Sequence, residues 1–148
     1  MKMDKQRILQ SCIDKQQELI DSFKKREADM KDDTFNQNES ASQSEDRRGN
    51  KFELLKIIGD QLAFAQQEMI LLNSLDATKE NTIVESGAFV VTNKLSFYIG
   101  VSSEKVEIDD LTFYGISIKA PIYASMRGLK KGDSFQFNES DYSIEEVY

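Results

Sequence analysis

The chain has 148 residues, carries 26 Asp and Glu against 19 Lys and Arg, and so has a formal net charge of -7. That balance argues against broad binding to a nucleic-acid backbone, which needs a basic surface to displace counterions. The absence of His and the single Cys12 exclude a zinc site, a Cys-His nucleophile and an internal disulfide, leaving carboxylates, lysines and hydroxyls for any chemistry. Cys12 itself reads as a small apolar residue on a buried helix face. No apolar run approaches the length of a bilayer span. The start Met1-Lys2-Met3-Asp4-Lys5 leads into a charged amphipathic segment rather than a signal sequence, so a cytoplasmic protein is expected.

From Asp4 to about Met30, Leu9, Ile13, Ile20, Phe23 and Met30 recur at steps of three and four, with Gln16 and Glu27 filling polar places in the same seam. The spacing predicts a helix of about 27 residues, roughly 40 Å long. Residues 32–50 then lose nearly all aliphatic side chains and gain cap-forming ones, which reads as a long connecting loop. A second helix is predicted from about Lys51 to Leu75, its seam formed by Leu55, Ile58, Leu62, Ala65, Met69 and Leu72. Two seams of similar length joined by one loop bury each other by folding back as an antiparallel hairpin. Ile57, Phe64, Ile70 and Leu71 lie outside that seam and suggest a second buried side at the hairpin's base.

Asn73 to Asn81 is a polar linker, after which the period changes to alternation. Residues 88–92 and 95–101 are β-branched and aromatic runs separated by Asn93-Lys94, a hairpin signal. Residues 106–108 and 113–118 supply two further strands around Asp109-Asp110. In the tail, Pro121 is pre-set for the first turn of a short helix that Gly128 ends, and Lys131-Gly132-Asp133 is turn chemistry. Phe135 and Phe137 alternate with polar residues in a new strand, and Tyr142-Ser143-Ile144 opens the last. The expected class is α+β, a helical hairpin over residues 1–77 followed by a mainly antiparallel sheet with one short helix over 78–148. A fragment from about Asn81 to Tyr148 is expected to fold alone.

The ordered tail, Ile116-Ser117-Ile118-Lys119-Ala120-Pro121-Ile122, then Gly128-Leu129-Lys130-Lys131-Gly132-Asp133, then Tyr142-Ser143-Ile144, resembles the C-terminal domain of the Gre family of bacterial transcript cleavage factors. Ala120-Pro121 stands where the family has Ser-Pro, and Lys130-Lys131-Gly132-Asp133 is a compressed form of its Lys-Lys-Val-Gly-Asp. The family plan, a long helical hairpin before a globular domain similar to the FK506-binding-protein fold, also matches the order of elements read above. The resemblance implies a transcription elongation factor, itself no enzyme, that docks its globular domain on RNA polymerase and sends the hairpin tip into the secondary channel. Tip carboxylates in such factors help hold a magnesium ion shared with the polymerase, and no cofactor of the factor's own is implied.

The family's tip pattern, Gly-Asp-Leu-x-Glu-Asn-Ala-Glu-Tyr, survives here in traces. Setting Asp46 on its Asp places Asn50 on its Asn, but Gly49 falls on the required Glu and Phe52 on the second acid. A shift of one residue puts Glu45 on the Asp and Phe52 on the Tyr, yet Arg48 then replaces the Glu. Candidate tip carboxylates are therefore Glu45 and Asp46 first, Asp32 and Asp33 second, with a solvated acidic loop as the competing interpretation. Pro121, Ile122, Tyr123 and Met126 are candidates for polymerase docking, with core packing beneath the sheet as the alternative. The implied function is a monomeric, polymerase-binding factor with weakened or lost cleavage stimulation. Alternatives are a non-cleaving regulator of the same channel, or a coiled-coil interaction module that pairs between chains.

Overall fold

The computed structural model describes the backbone of residues 3–36 and 41–148, and the side chains of all of these except 33–36 and 41–48. Two long helices, α1 (Lys5–Asn36) and α2 (Ala41–Ser74), precede strands β1 (Phe89–Thr92), β2 (Ser96–Gly100), β3 (Lys105–Ile108) and β4 (Leu111–Ser117). A short helix α3 (Pro121–Met126) and strands β5 (Ser134–Phe137) and β6 (Ser140–Val147) complete the α+β order read from the sequence. Both long helices extend into the stretch expected as a loop over 32–50: residues 32–36 continue α1, and α2 runs from 41. That stretch contains no proline, and its Ser, Asn and Asp residues weaken a helix without breaking it.

The chain divides into two compact units, Asp14–Ile70 and Met1–Ile13 with Leu71–Tyr148. Within Asp14–Ile70, Ile20, Gln16 and Ala65 are buried while Phe23, Leu55, Ile58, Leu62 and Met69 are half-buried. Gln16 Nε2 donates to the Ala65 carbonyl at 2.9 Å, and a side chain at Gly59 would stand 3.6 Å from Glu27 Oε2. Early residues of one helix thus face late residues of the other, the antiparallel hairpin that the two seams predict. The expected second buried side is not there: Ile57, Phe64 and Ile70 are exposed. Leu71, half-buried in the other unit, is the one of that set that packs on a core. The three exposed residues lie on α2 faces turned away from α1, which fills only one stripe.

The second unit holds a six-stranded sheet in the order β3-β4-β2-β1-β6-β5. Its ladders are antiparallel except β2 with β4, where Phe97 pairs Tyr114 and Ile99 pairs Ile116 in parallel. After β2 the chain passes to the outer edge to form β3, turns at Asp109-Asp110, and returns as β4 into the gap, which makes β4 parallel to β2. Alternation along the strands sends Val90, Phe97, Ile99, Tyr142 and Ile144 to one face and Phe89, Tyr98 and Phe113 to the other. α3 covers the first face through Tyr123 and Met126. The start of α1 and the end of α2 cover the second through Ile8, Leu9, Cys12 and Leu72. A cut at residues 77 and 78 therefore differs from the compact units, because the sheet's second face takes its cover from both helices.

Local chemistry agrees with these elements. Asp4 caps α1, its Oδ1 accepting the Arg7 amide at 3.2 Å. The β1–β2 turn is closed by Thr92, whose Oγ1 accepts the amide of Leu95 at 3.0 Å. Asn138 and Glu139, both with φ near +50° to +65°, form the two-residue loop between β5 and β6, as the strand twist favours.

Candidate functional site

The tail segment is built by a continuous run of short-range constraints. Ala120 is extended at φ -72° and ψ 141°, as a residue before proline prefers, and Pro121 then opens α3. Tyr123 and Met126, three residues apart on one helix face, turn inward onto the sheet. Gly128 ends the helix at φ +78°, where a side chain would be strained, and its amide donates to the Val84 carbonyl at 2.9 Å. Val84 returns a bond to Leu129 O at 2.8 Å.

The Lys130-Lys131-Gly132-Asp133 turn is held in the same way. Asp133 Oδ2 accepts the Lys130 amide at 3.0 Å, and Gly132, at φ +93°, donates to Ile144 O at 2.9 Å. Lys131 Nζ pairs with Glu146 at 2.5 Å, and this hydrogen bond raises the pKa of the lysine. The turn residues whose order resembles the Gre tail thus tie the start of β5 to β6.

Of the four candidate docking residues, Met126 and Tyr123 are buried in the core beneath the sheet, Ile122 is half-buried against it, and Pro121 is exposed. Their spacing on one helical face is the signature of packing, which is why Tyr123 and Met126 belong to the fold and not to a contact surface. The apolar surface left exposed beside α3 consists of Pro121, Ile118 just before it and Ile83, which pairs with Lys130.

Of the tip carboxylates, Asp32 lies exposed on the last turns of α1. The side chains of Asp33, Glu45 and Asp46 lie outside the described residues. Among the described residues no three His, Cys, Asp or Glu side chains converge on a point where a metal ion would sit. A lone exposed carboxylate is a poor ligand for magnesium, which demands near-octahedral oxygen geometry, so no chemical step is assigned to such an ion here.

A polar cluster at the start of α1 is the part that sequence reasoning missed. Lys5 is buried, and its Nζ donates to Asn81 Oδ1 at 2.6 Å and to Gly87 O at 3.2 Å. Asn81 Nδ2 donates in turn to Glu85 Oε1 at 2.6 Å, which Lys79 also approaches at 3.3 Å. Burial lowers the Lys5 pKa, and Lys79 lowers it further, against the nearby acids Asp76, Glu80 and Glu85. An open groove of about 670 Å³ lies beside this cluster, lined by residues 3–6, 77–82 and 147–148. The amine's bonds to Asn81 and Gly87 tie the linker to the first turn of α1. In the sequence Lys5 looks like any surface charge at a helix start, because the partners that bury it lie 76 and 82 residues away.

No protein-family model and no curated protein matches the chain. Solved structures do. The chain is similar to the crystal structure of Thermus aquaticus Gfh1 at 12% identity and a TM-score of 0.34, over 96% of this chain and 92% of that one. It is similar to GreA factor homolog 1 (Gfh1) of Thermus thermophilus at 14% identity and a TM-score of 0.35, over 96% and 93%. A further structure, of the transcription factor Gfh1, aligns over 100% of this chain and 95% of its own at 14% identity and a TM-score of 0.35.

Proposed function

We propose that this chain is a Gre-type transcription elongation factor that binds RNA polymerase and sends its α1–α2 hairpin into the secondary channel, with weak or absent stimulation of transcript cleavage. One observation carries the proposal: the tail that resembles the Gre C-terminal domain folds in that order, as β4, α3, the Lys-Lys-Gly-Asp turn, β5 and β6, behind an antiparallel helical hairpin. Docking falls to the exposed surface beside α3, with Pro121, Ile118 and Ile83 replacing the buried Tyr123 and Met126 as contact residues. The factor acts in the cytoplasm as a monomer, without a cofactor of its own and without catalysing a reaction itself.

Weak cleavage follows from the tip. Stimulation by such a factor requires two carboxylates held as a preorganised pair, with oxygens about 2.0 to 2.1 Å from magnesium. Neither alignment of Glu45 and Asp46 with the family pattern restores both acids. The non-cleaving channel regulator is the limiting form of the same reading. The coiled-coil module that pairs between chains is disfavoured, because the seam it would use is filled within the chain by Gln16, Ile20 and Ala65.

The test has two stages. Folded protein is first assayed for binding to core RNA polymerase at low salt, where failure to bind refutes the proposal. RNA shortening in a backtracked complex is then compared for wild type and Glu45→Ala/Asp46→Ala. Little shortening by either is expected. Robust shortening that the double substitution abolishes would show that this tip is a working carboxylate pair, and shortening that survives it would place the chemistry on other residues.

A further inference from the structure

The sheet unit holds a second groove, of about 400 Å³, beside the start of α1. Its floor is apolar and comes from three separate parts of the chain: Met3 and Ile8, Ile108 and Leu111 on either side of the β3–β4 turn, and Tyr148 after β6. All five belong to the apolar layer on the second face of the sheet, where Ile8 is buried and the other four are half-buried. The backbone fixes this floor: Tyr148 exchanges amide-to-carbonyl bonds with Phe89 at 2.8 and 3.0 Å, and Ile108 pairs with Leu111 across the turn. Pre-formed apolar clefts of roughly 300 to 1,000 Å³ are the usual seats of small ligands.

The rim is charged. It carries the carboxylates of Asp4, Asp109 and Asp110 and the guanidinium of Arg7. The guanidinium is already matched: Arg7 Nη1 lies 2.5 Å from Asp109 Oδ2, and Nη2 donates to Asp109 Oδ1 at 3.2 Å, a fork that ties α1 to the β3–β4 turn. Asp109 stands at φ +52°, in the first place of a two-residue loop, where glycine is the usual residue; here that place holds a carboxylate. Asp4 Oδ1 accepts the Arg7 amide, which carries no charge, and Asp110 has no hydrogen bond or ion pair among the described residues. Neighbouring lysines do not neutralise the pair. Lys5 sends its amine to Asn81 and Gly87, Lys105 pairs with Glu107, and neither lysine lines this groove.

We propose that this groove binds a small organic cation, an ammonium or guanidinium group carried on an apolar body such as an aromatic ring. The body lies on Met3, Ile108, Leu111 and Tyr148, and the head meets Asp110 and Asp4 at the rim. An anion of the same shape would bring a like charge against both carboxylates, and a neutral molecule would leave them unmatched. A protein partner does not fit the size of the site, since a stable protein contact buries roughly 800 Å² on each side. This inference stands apart from the polymerase reading, and failure of either leaves the other intact.

The experiment uses the full chain, isotope-labelled for two-dimensional NMR, and three probes that share one phenylpropyl body: phenylpropylammonium, phenylpropanol and phenylpropanoate. Amide shifts at low ionic strength and near neutral pH read both the affinity and the place of binding. The ammonium should shift the amides of Arg7, Ile8 and residues 108–111 saturably, and bind about fivefold or more tighter than the alcohol, with the carboxylate weakest. Asp110→Asn should weaken the ammonium about twofold to fivefold and leave the alcohol unchanged. Met3→Gln, which precedes α1, should weaken both. Spectral dispersion and melting of each variant establish that the fold is intact. No saturable shift with the ammonium, equal affinity for ammonium and alcohol, shifts centred elsewhere in the chain, or indifference of the ammonium to Asp110→Asn each overturns the proposal.

Discussion

The two compact units hold themselves together by different means. In the sheet unit the central strands β1, β2 and β4 have apolar partners on both faces, and aromatic rings interlock: Phe89 meets Phe113 edge-on at 5.5 Å, and Phe135 stacks on Tyr142 at 4.9 Å. In the Asp14–Ile70 hairpin each helix has one neighbour, a polar Gln16 occupies the seam, and most of the large seam residues are half-buried. A two-sided core spends its apolar residues inside. A one-stripe seam leaves apolar side chains over, and on α2 Leu54, Ile57 and Phe64 stand exposed.

The sharpest way to break this comparison is to remove the helical cover from the sheet. The sequence suggests that a fragment beginning near Asn81 folds alone, but that cut deletes Ile8, Leu9, Cys12 and Leu72 from above Phe89, Tyr98, Val106 and Phe113. Burial of the three large aliphatic side chains is worth about 1.5 to 3 kcal/mol each, against roughly 5 to 15 kcal/mol for a whole domain. Residues 81–148 are therefore expected to lose cooperative melting and bind a hydrophobic dye. A chain that keeps both helix ends joined by a short linker should melt cooperatively. A sharp, dye-free transition for the bare fragment would show that the α3 side of the sheet suffices.

Single truncations should rank in the same order. Phe113→Ala empties a fully buried site and is expected to cost about 3 to 5 kcal/mol, whereas Phe23→Ala, at a half-buried seam position, should cost about 1 kcal/mol. Chemical denaturation of both variants measures the difference. Equal losses would mean that the hairpin seam is as well packed as the sheet.

A smaller effect, of opposite sign, is expected at Tyr98. Its ring is buried and its hydroxyl is buried with no hydrogen-bond partner, the one such side-chain atom among the described residues. Burial accordingly raises the phenol's pKa. Tyr98→Phe removes the stranded hydroxyl and keeps the ring packing against Phe113, so stability should rise by about 1 kcal/mol. A loss of stability instead would reveal a partner for the hydroxyl.

What could be read in the sequence follows from how local the causes are. The seam from Leu9 to Leu72, the Asn93-Lys94 turn and the run from Pro121 to Asp133 are set by residues within a few positions of one another, and all of them appear in the structure. The parallel pairing of β2 with β4 and the burial of Lys5 depend on partners far along the chain, and no local pattern announces them. The docking residues fall between these cases: a proline-led apolar helix was legible at residues 121–126, but which side faced the sheet was not. For Tyr123 and Met126 the sequence leaves docking and core packing both open, and the structure buries them against the sheet. For α2, the extra apolar residues were legible as a surplus, and the number of neighbours available to cover them was not.

The smallest expected effect separates the two units by the sign of their response to acid. In the linker of the sheet unit, Thr78 hydrogen bonds lower the pKa of Asp76, and bonds from Asn81 and then Lys79 lower that of Glu85. In the hairpin, burial raises the pKa of Glu68, partly offset by the hydrogen bond from Gln16. A depressed carboxylate adds stability that is present above its unfolded pKa and lost as pH falls through its folded one; a raised carboxylate does the reverse, favouring the fold at low pH and losing that contribution as pH rises through its folded value. Melting of three proteins between about pH 3 and pH 6 distinguishes these contributions. Asp76→Asn/Glu85→Gln should be less stable than wild type near pH 6, and the gap should close as the pH falls and the native carboxylates protonate. Glu68→Gln should be slightly more stable than wild type near pH 6, and that advantage should also vanish on acidification, because the wild-type side chain then carries its own proton. Both differences should be small, since Asp76 is exposed and Glu85 and Glu68 are half-buried. A Glu68→Gln variant that is destabilised near pH 6 would mean that its hydrogen bond with Gln16 outweighs the cost of burying its charge, and that the polar place in the seam contributes to hairpin stability.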